Sequence, residues 1–185
     1  MSGTLTFLVG GARSGKSTLA LRLAEAADAT GTPVTFLVTA VPFDDDLRER
    51  VRRHRDERPP HWHTLECPVD VADGVDTVPT DHFLVIDCLT LFLANLLAAP
   101  DAAPRRASDH IDALLAALLR RRERGASTVV VSNEVGMGIH PDTELGRVYR
   151  DDLGRLNQAV AAIADHALLM VAGRALPLRD PMELL

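Results

Sequence analysis

Eight consecutive residues near the start of the chain have the composition of a phosphate-binding loop. They read Gly10-Gly11-Ala12-Arg13-Ser14-Gly15-Lys16-Ser17, which matches the pattern G-x-x-x-x-G-K-[ST] in full. Glycines let backbone N–H groups turn toward phosphate oxygens, Lys16 reaches the β- and γ-phosphates, and the Ser17 hydroxyl suits Mg²⁺. An apolar run, Leu5–Val9, precedes the loop and a helix-like run, Thr18–Glu25, follows it. This strand-loop-helix context predicts a nucleotide site rather than a chance glycine-rich turn.

A carboxylate, Asp87, ends the apolar run Phe83–Ile86. In enzymes with a phosphate-binding loop, an acid at the end of such a strand completes the Mg²⁺ site, directly or through water. The alternative is an aspartate that only ends a strand at a turn. Because the loop is present, we favour the magnesium role for Asp87.

Residues 50–58 place five arginines around a single histidine, His54, on a predicted helix. One interpretation is a solvated face with a partly buried histidine, since His54 lines up with Leu47 and Val51; composition alone favours it. The other is a second phosphate site, in which Arg55 and Arg58, three residues apart, clamp phosphate oxygens. A neutral imidazole there could attack phosphorus as a nucleophile.

A glycine-containing polar loop, residues 133–142, follows the buried run Thr128–Ser132. It is either an ordinary connection or part of a ligand site, in which Asn133 or Glu134 reads a base or a substrate hydroxyl. Charged residues on the next helix, such as Arg147 and Arg155, are expected at the surface or in subunit contacts.

Length and composition limit the classes of protein. The 185 residues fit one domain, 1–185, and 46% of them are apolar. A net charge of −6 argues against broad nucleic-acid binding. Cys67 and Cys88 show no metal or disulfide spacing, which favours a reducing cytoplasm. We expect no signal peptide, because the phosphate-binding loop begins so early, and no membrane span, because no apolar run is long enough.

Strand-like and helix-like segments alternate along the chain, which predicts an α/β fold: a mostly parallel sheet covered by helices on both faces. Ligands of such sheets bind at the carboxyl ends of the strands. The predicted strands are Leu5–Val9, Pro33–Thr39, His63–Pro68, Phe83–Asp87, Thr128–Ser132 and Ala167–Ala172, and the predicted helices are 18–25, 44–57, 90–98, 108–124 and 143–165.

Two helices carry more detailed expectations. Ser108 is the expected N-cap of the helix that starts there, after a loop over residues 99–107. The helix over 143–165 carries an apolar stripe that is expected to face the core: Leu145, Tyr149, Leu153, Leu156, Val160 and Ile163.

Taken in order, these motifs resemble the bifunctional adenosylcobinamide kinase / adenosylcobinamide-phosphate guanylyltransferase family of cobalamin biosynthesis, over nearly the whole chain. The residues that carry the resemblance are Gly10–Ser17, His54-Arg55, Arg58-Pro59, Trp62, Thr64, Glu66, Asp87-Cys88-Leu89-Thr90, Asn95-Leu96-Leu97, Asn133–Ile139, Pro141, Arg150-Asp151, Gly154-Arg155, Asn157-Gln158 and Ala172-Gly173. The phosphate-binding loop alone is generic, whereas the ordered set is specific. The tail 174–185 is the least similar part.

The resemblance implies two reactions and a fold like that of RecA-type P-loop domains. ATP or GTP phosphorylates adenosylcobinamide; GTP then transfers GMP to that phosphate through a guanylyl-histidine, and His54 matches the nucleophile. Mg²⁺ is implied as the cofactor, with Ser17 and Asp87 as its residues, and the family assembles as trimers. The nucleotide contacts implied for this chain are Gly10, Gly11, Ala12, Arg13, Ser14, Gly15, Lys16, Ser17, Val38, Thr39, Ala40, Arg55, Asp56, Glu57, Arg58, Glu66 and Asp87.

Some members have two adjacent histidines, whereas here Arg53 precedes a single His54. Two other functions stay open at this stage. The chain could be a kinase with one activity, in which His54 is only structural, or a nucleotide-dependent regulatory module that transfers no group.

Overall fold

A single seven-stranded sheet forms the centre of the molecule in a computed structural model, which describes residues 3–41, 45–98 and 107–185. The strands are β1 (Leu5–Gly10), β2 (Val34–Val38), β3 (His63–Glu66), β4 (Phe83–Asp87), β5 (Thr128–Val131), β6 (His166–Val171) and β7 (Arg174–Leu178), and the helices are α1 (Lys16–Asp28), α2 (Asp45–Asp56), α3 (Val71–Thr77), α4 (Leu89–Ala98), α5 (Ala107–Glu123) and α6 (Glu144–Ile163). The spatial order is β3-β2-β4-β5-β1-β6-β7; all neighbours are parallel except β6 and β7.

The central strands are apolar on both faces because helices cover both sides of the sheet. Alternate residues of β4 enter different cores: Leu84 and Ile86 face one, and Val85 faces the other. The first core lies under α3, α4, α5 and α6, and the second lies under α1, where Ala20 and Ala24 pack beside the sheet. The predicted α/β architecture is therefore confirmed.

The register aligns the carboxyl ends of the parallel strands along one edge. Val38 at the end of β2 pairs with Asp87 of β4 and with Glu66 of β3, and Asp87 pairs in turn with Val131 of β5. Residues that are far apart in the sequence are thus neighbours at this edge, where the functional residues are expected.

Helix α3, strand β7 and a short 3-10 helix over Pro181–Leu184 were not predicted from the sequence. Helix α3 has only seven residues, too few to show a helical period, and Gly74 interrupts its pattern. The glycine leaves room for its neighbours, because a Cβ would lie 2.9 Å from both Cys67 Sγ and Leu37 Cδ1 and at least one of these side chains would have to shift. Strand β7 is an exposed edge strand that contains Pro177, so neither alternation nor continuous apolarity marks it.

Two detailed expectations were wrong, and most of a third lies outside the described residues. Ser108 is not an N-cap, because α5 already includes Ala107; its hydroxyl instead lies 3.3 Å from Asp109 Oδ1. Leu145 is 61% exposed, since only the later part of the α6 stripe reaches the core. The remainder of the predicted loop, residues 99–106, lies outside the described residues.

Both cysteines are free thiols, each only partly exposed. Burial raises the pKa of Cys67 and of Cys88, so both favour the neutral form. In the three described ranges, no helix has the length and apolar character needed to cross a membrane.

Candidate active site

The phosphate-binding loop connects the end of β1 to the start of α1, as predicted. Arg13 and Gly15 have positive φ angles of 56° and 100°, which turn the backbone sharply between strand and helix. The Lys16 ammonium is buried and donates hydrogen bonds to the carbonyls of Gly10 and Gly11, at 2.9 and 2.7 Å. The lysine is thus folded back over the loop that would hold phosphates.

The turn between β6 and β7 supports this loop from the side. The Gly173 N–H donates to the Ser14 carbonyl at 2.9 Å, and a Cβ on Gly15 would lie 3.1 Å from Gly173 Cα. A Cβ on Gly10 would lie 2.3 Å from the Met170 carbonyl of β6. The glycines therefore allow β6 and its turn to pack directly against the loop, a role that the sequence did not reveal.

Two cavities open at the carboxyl edge of the sheet. The larger, about 640 Å³, is here called the phosphate cavity, and the smaller, about 150 Å³, lies beside α2 and is called the α2 cavity. The phosphate cavity is lined by Arg13, Ser14, Gly15, Lys16, Ser17, Thr18, Glu49, Arg53, His54, Asp87, Cys88, Val131 and Asn133. The α2 cavity is lined by Val38, Ala40, Val51, His54, Arg55, Arg58, Thr64, Glu66, Asp87, Cys88, Thr90, Leu91 and Asn133.

Among the residues that the structure describes, four line both cavities: His54, Asp87, Cys88 and Asn133. They come from α2, from the end of β4 with the residue after it, and from the loop after β5. The two cavities therefore share a wall, and a group bound at that wall can be reached from either side.

Helix α2 directs its arginines in several directions. Arg52 is exposed and pairs with Glu49 at 2.7 Å, as expected for a solvated face. Arg53 lines the phosphate cavity, Arg55 lines the α2 cavity, and Arg58, just after the end of the helix, lines the α2 cavity as well. The exposed Arg52 fits the interpretation as a solvated face, whereas the second phosphate site stays a prediction. The side chain of Leu47 lies outside the described part.

Arg58 is fixed by an aromatic stack. Its guanidinium carbon lies 4.1 Å from the ring centre of Phe36, and that ring stacks on Trp62 at 5.6 Å. Burial lowers the pKa of Arg58, while the charge of Asp87 acts in the opposite direction. The side chain remains a cation, because the pKa of an arginine is so high, and it is held in the wall of the α2 cavity.

Thr39, which was expected to contact nucleotide, has a buried side chain that forms hydrogen bonds with the protein backbone. Its hydroxyl donates to the Cys88 carbonyl at 2.7 Å and accepts from the Cys88 N–H at 3.0 Å. Its carbonyl accepts from Asn95 Nδ2 at 2.8 Å. Thr39 therefore positions the peptide that follows Asp87 rather than lining either cavity.

The other expected nucleotide contacts divide into two groups. Val38, Ala40 and Glu66 join Arg55 and Arg58 around the α2 cavity. Asp56 and Glu57 are exposed and line neither of the two cavities. The roles of all these residues in binding stay predictions.

The structure adds residues that the sequence had not singled out as a site. Thr64 lies on β3 two positions before Glu66, on the same face, and Thr90 and Leu91 lie in the first turn of α4, three and four residues after Asp87. The two-residue period of a strand could have indicated Thr64, and proximity to Asp87 could have indicated Thr90 and Leu91. The parallel pairing of β3 with β2 was also needed, because it brings Thr64 to the edge of the sheet where Asp87 lies.

The phosphate cavity contains the oxygen ligands that Mg²⁺ prefers. The Ser17 hydroxyl at the start of α1 and the Asp87 carboxylate both line it. Among the residues that the structure describes, no three histidines, cysteines or carboxylates cluster as a ready-made metal site. This donor set fits Mg²⁺, which commonly takes one or two protein oxygens and completes its shell with phosphate oxygens and water.

A solved structure shares the fold. The crystal structure of the flagellar accessory protein FlaH from Methanocaldococcus jannaschii superposes with a TM-score of 0.56, covering 98% of this chain and 80% of that one. Sequence identity is 15%, so this likeness concerns the fold alone.

Curated relatives are much closer in sequence. The bifunctional adenosylcobalamin biosynthesis protein CobP of Pseudomonas aeruginosa is 40% identical over 173 residues, 93% of this chain and 95% of its own length. The protein CobU of Salmonella typhimurium, with the same description, is 40% identical over 182 residues, 91% of this chain and 96% of its own. The model of the CobU family, cobinamide kinase / cobinamide phosphate guanyltransferase, matches residues 6–178. The chain therefore belongs to the cobinamide kinase / cobinamide phosphate guanyltransferase family.

Proposed function

We propose that this chain catalyses two consecutive transfers within one domain, residues 1–185. ATP or GTP phosphorylates the aminopropanol hydroxyl of adenosylcobinamide, and GTP then transfers GMP to that phosphate, giving adenosylcobinamide-GDP and pyrophosphate. The observation that carries the proposal is the position of His54 in the wall shared by the two cavities. The family and the names of the curated relatives support both activities.

The kinase step needs positioning and charge neutralisation rather than a protein nucleophile. The hydroxyl oxygen attacks the γ-phosphorus, a new P–O bond forms, and the bond to the β-γ bridging oxygen breaks. The proton of the hydroxyl is released to water. Lys16 and the backbone N–H groups of the loop stabilise the charge on the phosphate oxygens. The carbonyls of Gly10 and Gly11 that now hold Lys16 keep its ammonium at the loop before nucleotide binds.

In the guanylyl step, an imidazole nitrogen of His54 attacks the α-phosphorus of GTP. A P–N bond forms and the α-β bridging bond breaks, so pyrophosphate leaves into the phosphate cavity beside Lys16. A phosphate oxygen of adenosylcobinamide phosphate then attacks the same phosphorus, and the P–N bond breaks. Arg55 and Arg58 in the α2 cavity suit the anions that this step brings together.

Ser17 and Asp87 are the residues that would hold Mg²⁺ in both reactions. The ion would neutralise negative charge on the phosphate oxygens. The ammonium of Lys16 and the N-terminus of α1 add positive potential on the same side of the cavity.

The decisive experiment is incubation with GTP labelled at the α-phosphate. We expect an acid-labile, base-stable protein adduct that is absent from His54→Asn. His166→Asn is the matched control, because His166 is exposed at the start of β6, the end of the sheet opposite the cavities. No adduct from the native chain, with phosphorylation of cobinamide intact, would favour the kinase with a single activity. Transfer to no corrinoid would leave the regulatory module.

The proposal also includes a trimeric state and a cytoplasmic location. A trimer, as the family resemblance implies, would have about three times the 20.0 kDa mass of the chain in light scattering. Exposed apolar side chains such as Ile139, at 96% exposure, and Met137, at 81%, offer surface for subunit contacts. Cytoplasmic location rests on the two free cysteines.

A further inference from the structure

We infer that Asn133 is a catalytic residue, whose side-chain amide donates a hydrogen bond to the phosphorus-bound oxygens of the group in transfer. This inference deepens the proposed function and rests on it. Asn133 lines both cavities, as do His54, Asp87 and Cys88 among the described residues. A phosphoryl or guanylyl group bound where the two cavities meet would lie at the wall that Asn133 helps to form.

The other three residues of the shared wall have different chemistry. Asp87 is an acid suited to the metal, and His54 is the proposed nucleophile. Cys88 carries a thiol, which is a poor hydrogen-bond donor. Of the four described residues in the shared wall, Asn133 is therefore the one with a neutral, strong N–H donor in its side chain.

Neutrality matters because the donor lines the same two cavities as His54 and Asp87. A second cation at this point would compete for the Asp87 carboxylate and repel a metal ion. An amide N–H instead stabilises negative charge on a phosphate oxygen without forming an ion pair. The amide neither gains nor loses a proton. It remains a hydrogen-bond donor while the P–O or P–N bonds at phosphorus form and break.

The backbone of Asn133 is held from both sides by side chains of other elements. Its N–H donates to Thr90 Oγ1 at 3.0 Å, and its carbonyl accepts from Asn157 Nδ2 at 3.0 Å. Tyr149 extends this support, because its hydroxyl donates to the Thr90 carbonyl at 3.2 Å. Such fixing of a loop residue is what a preorganised donor requires.

Asn157 and Thr90 are therefore positioning residues in this proposal. Asn157 is 8% exposed on α6, and Thr90 stands in the first turn of α4, three residues after Asp87. Two elements that also pack in the main core thus fix one residue at the shared wall. The loop that continues from Asn133 is exposed and has no comparable support at Met137 and Ile139.

The test compares Asn133→Ala with Asn133→Asp in the full-length protein, using adenosylcobinamide with ATP for the kinase and α-labelled GTP for the adduct. We expect Asn133→Ala to lower kcat and the rate of adduct formation about 10- to 100-fold, with KM for nucleotide changed less than about threefold. Asn133→Asp is expected to be slower than Asn133→Ala at neutral pH, because a carboxylate repels the phosphate. Its rate should recover toward low pH relative to the native protein, as protonation restores a donor.

Asn157→Ala serves as the test of positioning. It leaves the Asn133 amide in place but removes one backbone support, so we expect a smaller loss, about three- to tenfold, in kcat. Thermal unfolding of each variant shows whether the fold is retained.

The outcomes separate this inference from the function on which it rests. If the native protein is active and folded Asn133→Ala and Asn133→Asp both retain rates within twofold of it, the inference is wrong and the proposed function stands. Equal losses for Ala and Asp without pH recovery would assign Asn133 a structural role and also overturn it. A native protein that neither phosphorylates cobinamide nor forms an adduct refutes the proposed function itself.

Discussion

Arg121 offers a sharp test of what holds this fold together. It lies near the end of α5 in an arginine-rich stretch, yet it is only 3% exposed. Its guanidinium donates to three carbonyls of the segment between α3 and β4: those of Val78 at 2.8 Å, Pro79 at 3.1 Å and His82 at 2.6 Å. The arginine thus joins a helix to the segment that leads into the strand ending at Asp87.

The expected loss for Arg121→Met follows from these three contacts. Methionine keeps part of the apolar stem but no donor, so all three carbonyls lose a partner. Val78 is buried, and its orphaned carbonyl costs about 1–3 kcal/mol, whereas the carbonyls near the surface regain water and cost about 0.5–1 kcal/mol each. Removing a buried cation offsets part of this, since burial lowers the pKa of Arg121. The net destabilisation is about 2–4 kcal/mol.

The matched control is the adjacent arginine on the same helix. Arg120 pairs with Asp76 at 2.6 Å, but both side chains are more than 40% exposed. Such a surface ion pair contributes about 0–1 kcal/mol, and Arg120→Met changes helix propensity by the same amount as Arg121→Met. Comparing the two variants therefore isolates the buried hydrogen bonds.

Urea unfolding followed by circular dichroism and by the fluorescence of Trp62, the single tryptophan, measures both variants. We expect a clear fall in the midpoint for Arg121→Met at an unchanged slope, and a fall in the thermal midpoint of about 4–16 °C. If the two variants differ by less than about 0.5 kcal/mol, the reasoning from buried hydrogen bonds is refuted.

Two further predictions concern the site. Lys16→Met should lower the turnover of cobinamide phosphorylation about 10²- to 10³-fold, because the ammonium that stabilises the transferred phosphoryl is lost; steady-state kinetics with unchanged turnover would contradict its assignment. Burial raises the pKa of the Cys88 thiol, so iodoacetamide should modify Cys88 far more slowly in the native than in the urea-unfolded protein at pH 8, by mass spectrometry. The same shift makes the stability of the protein depend on pH. Above about pH 8.5 the Cys88 thiol ionises in the unfolded protein before it does so in the folded protein, and this lowers the free energy of unfolding. Equal labelling of both states would show that the Cys88 thiol is not protected.

Patterns that repeat over short distances were sufficient to predict most of the fold. The strands β1, β2, β4 and β5 are continuous apolar runs because both of their faces are buried, and such runs are recognisable without a partner. The phosphate-binding loop is equally legible, since its glycines and Lys16 act through local backbone geometry. Ser108 failed as an N-cap because element boundaries depend on the residues before them, and Leu145 failed because periodicity does not show where a core ends.

The sequence was sufficient to predict which types of residue form the candidate site. It was not sufficient to predict which of them lie together in space. The sequence by itself determined the nucleotide loop, the alternation of strands and helices, and the unusual arginines around His54, because these depend on neighbours in the chain. Only the tertiary structure decided that His54, Asp87 and Asn133 share one wall, and that Arg121 is buried while Arg120 is exposed. The physical reason is that parallel pairing and helix packing set these distances, through contacts between residues that are tens of positions apart.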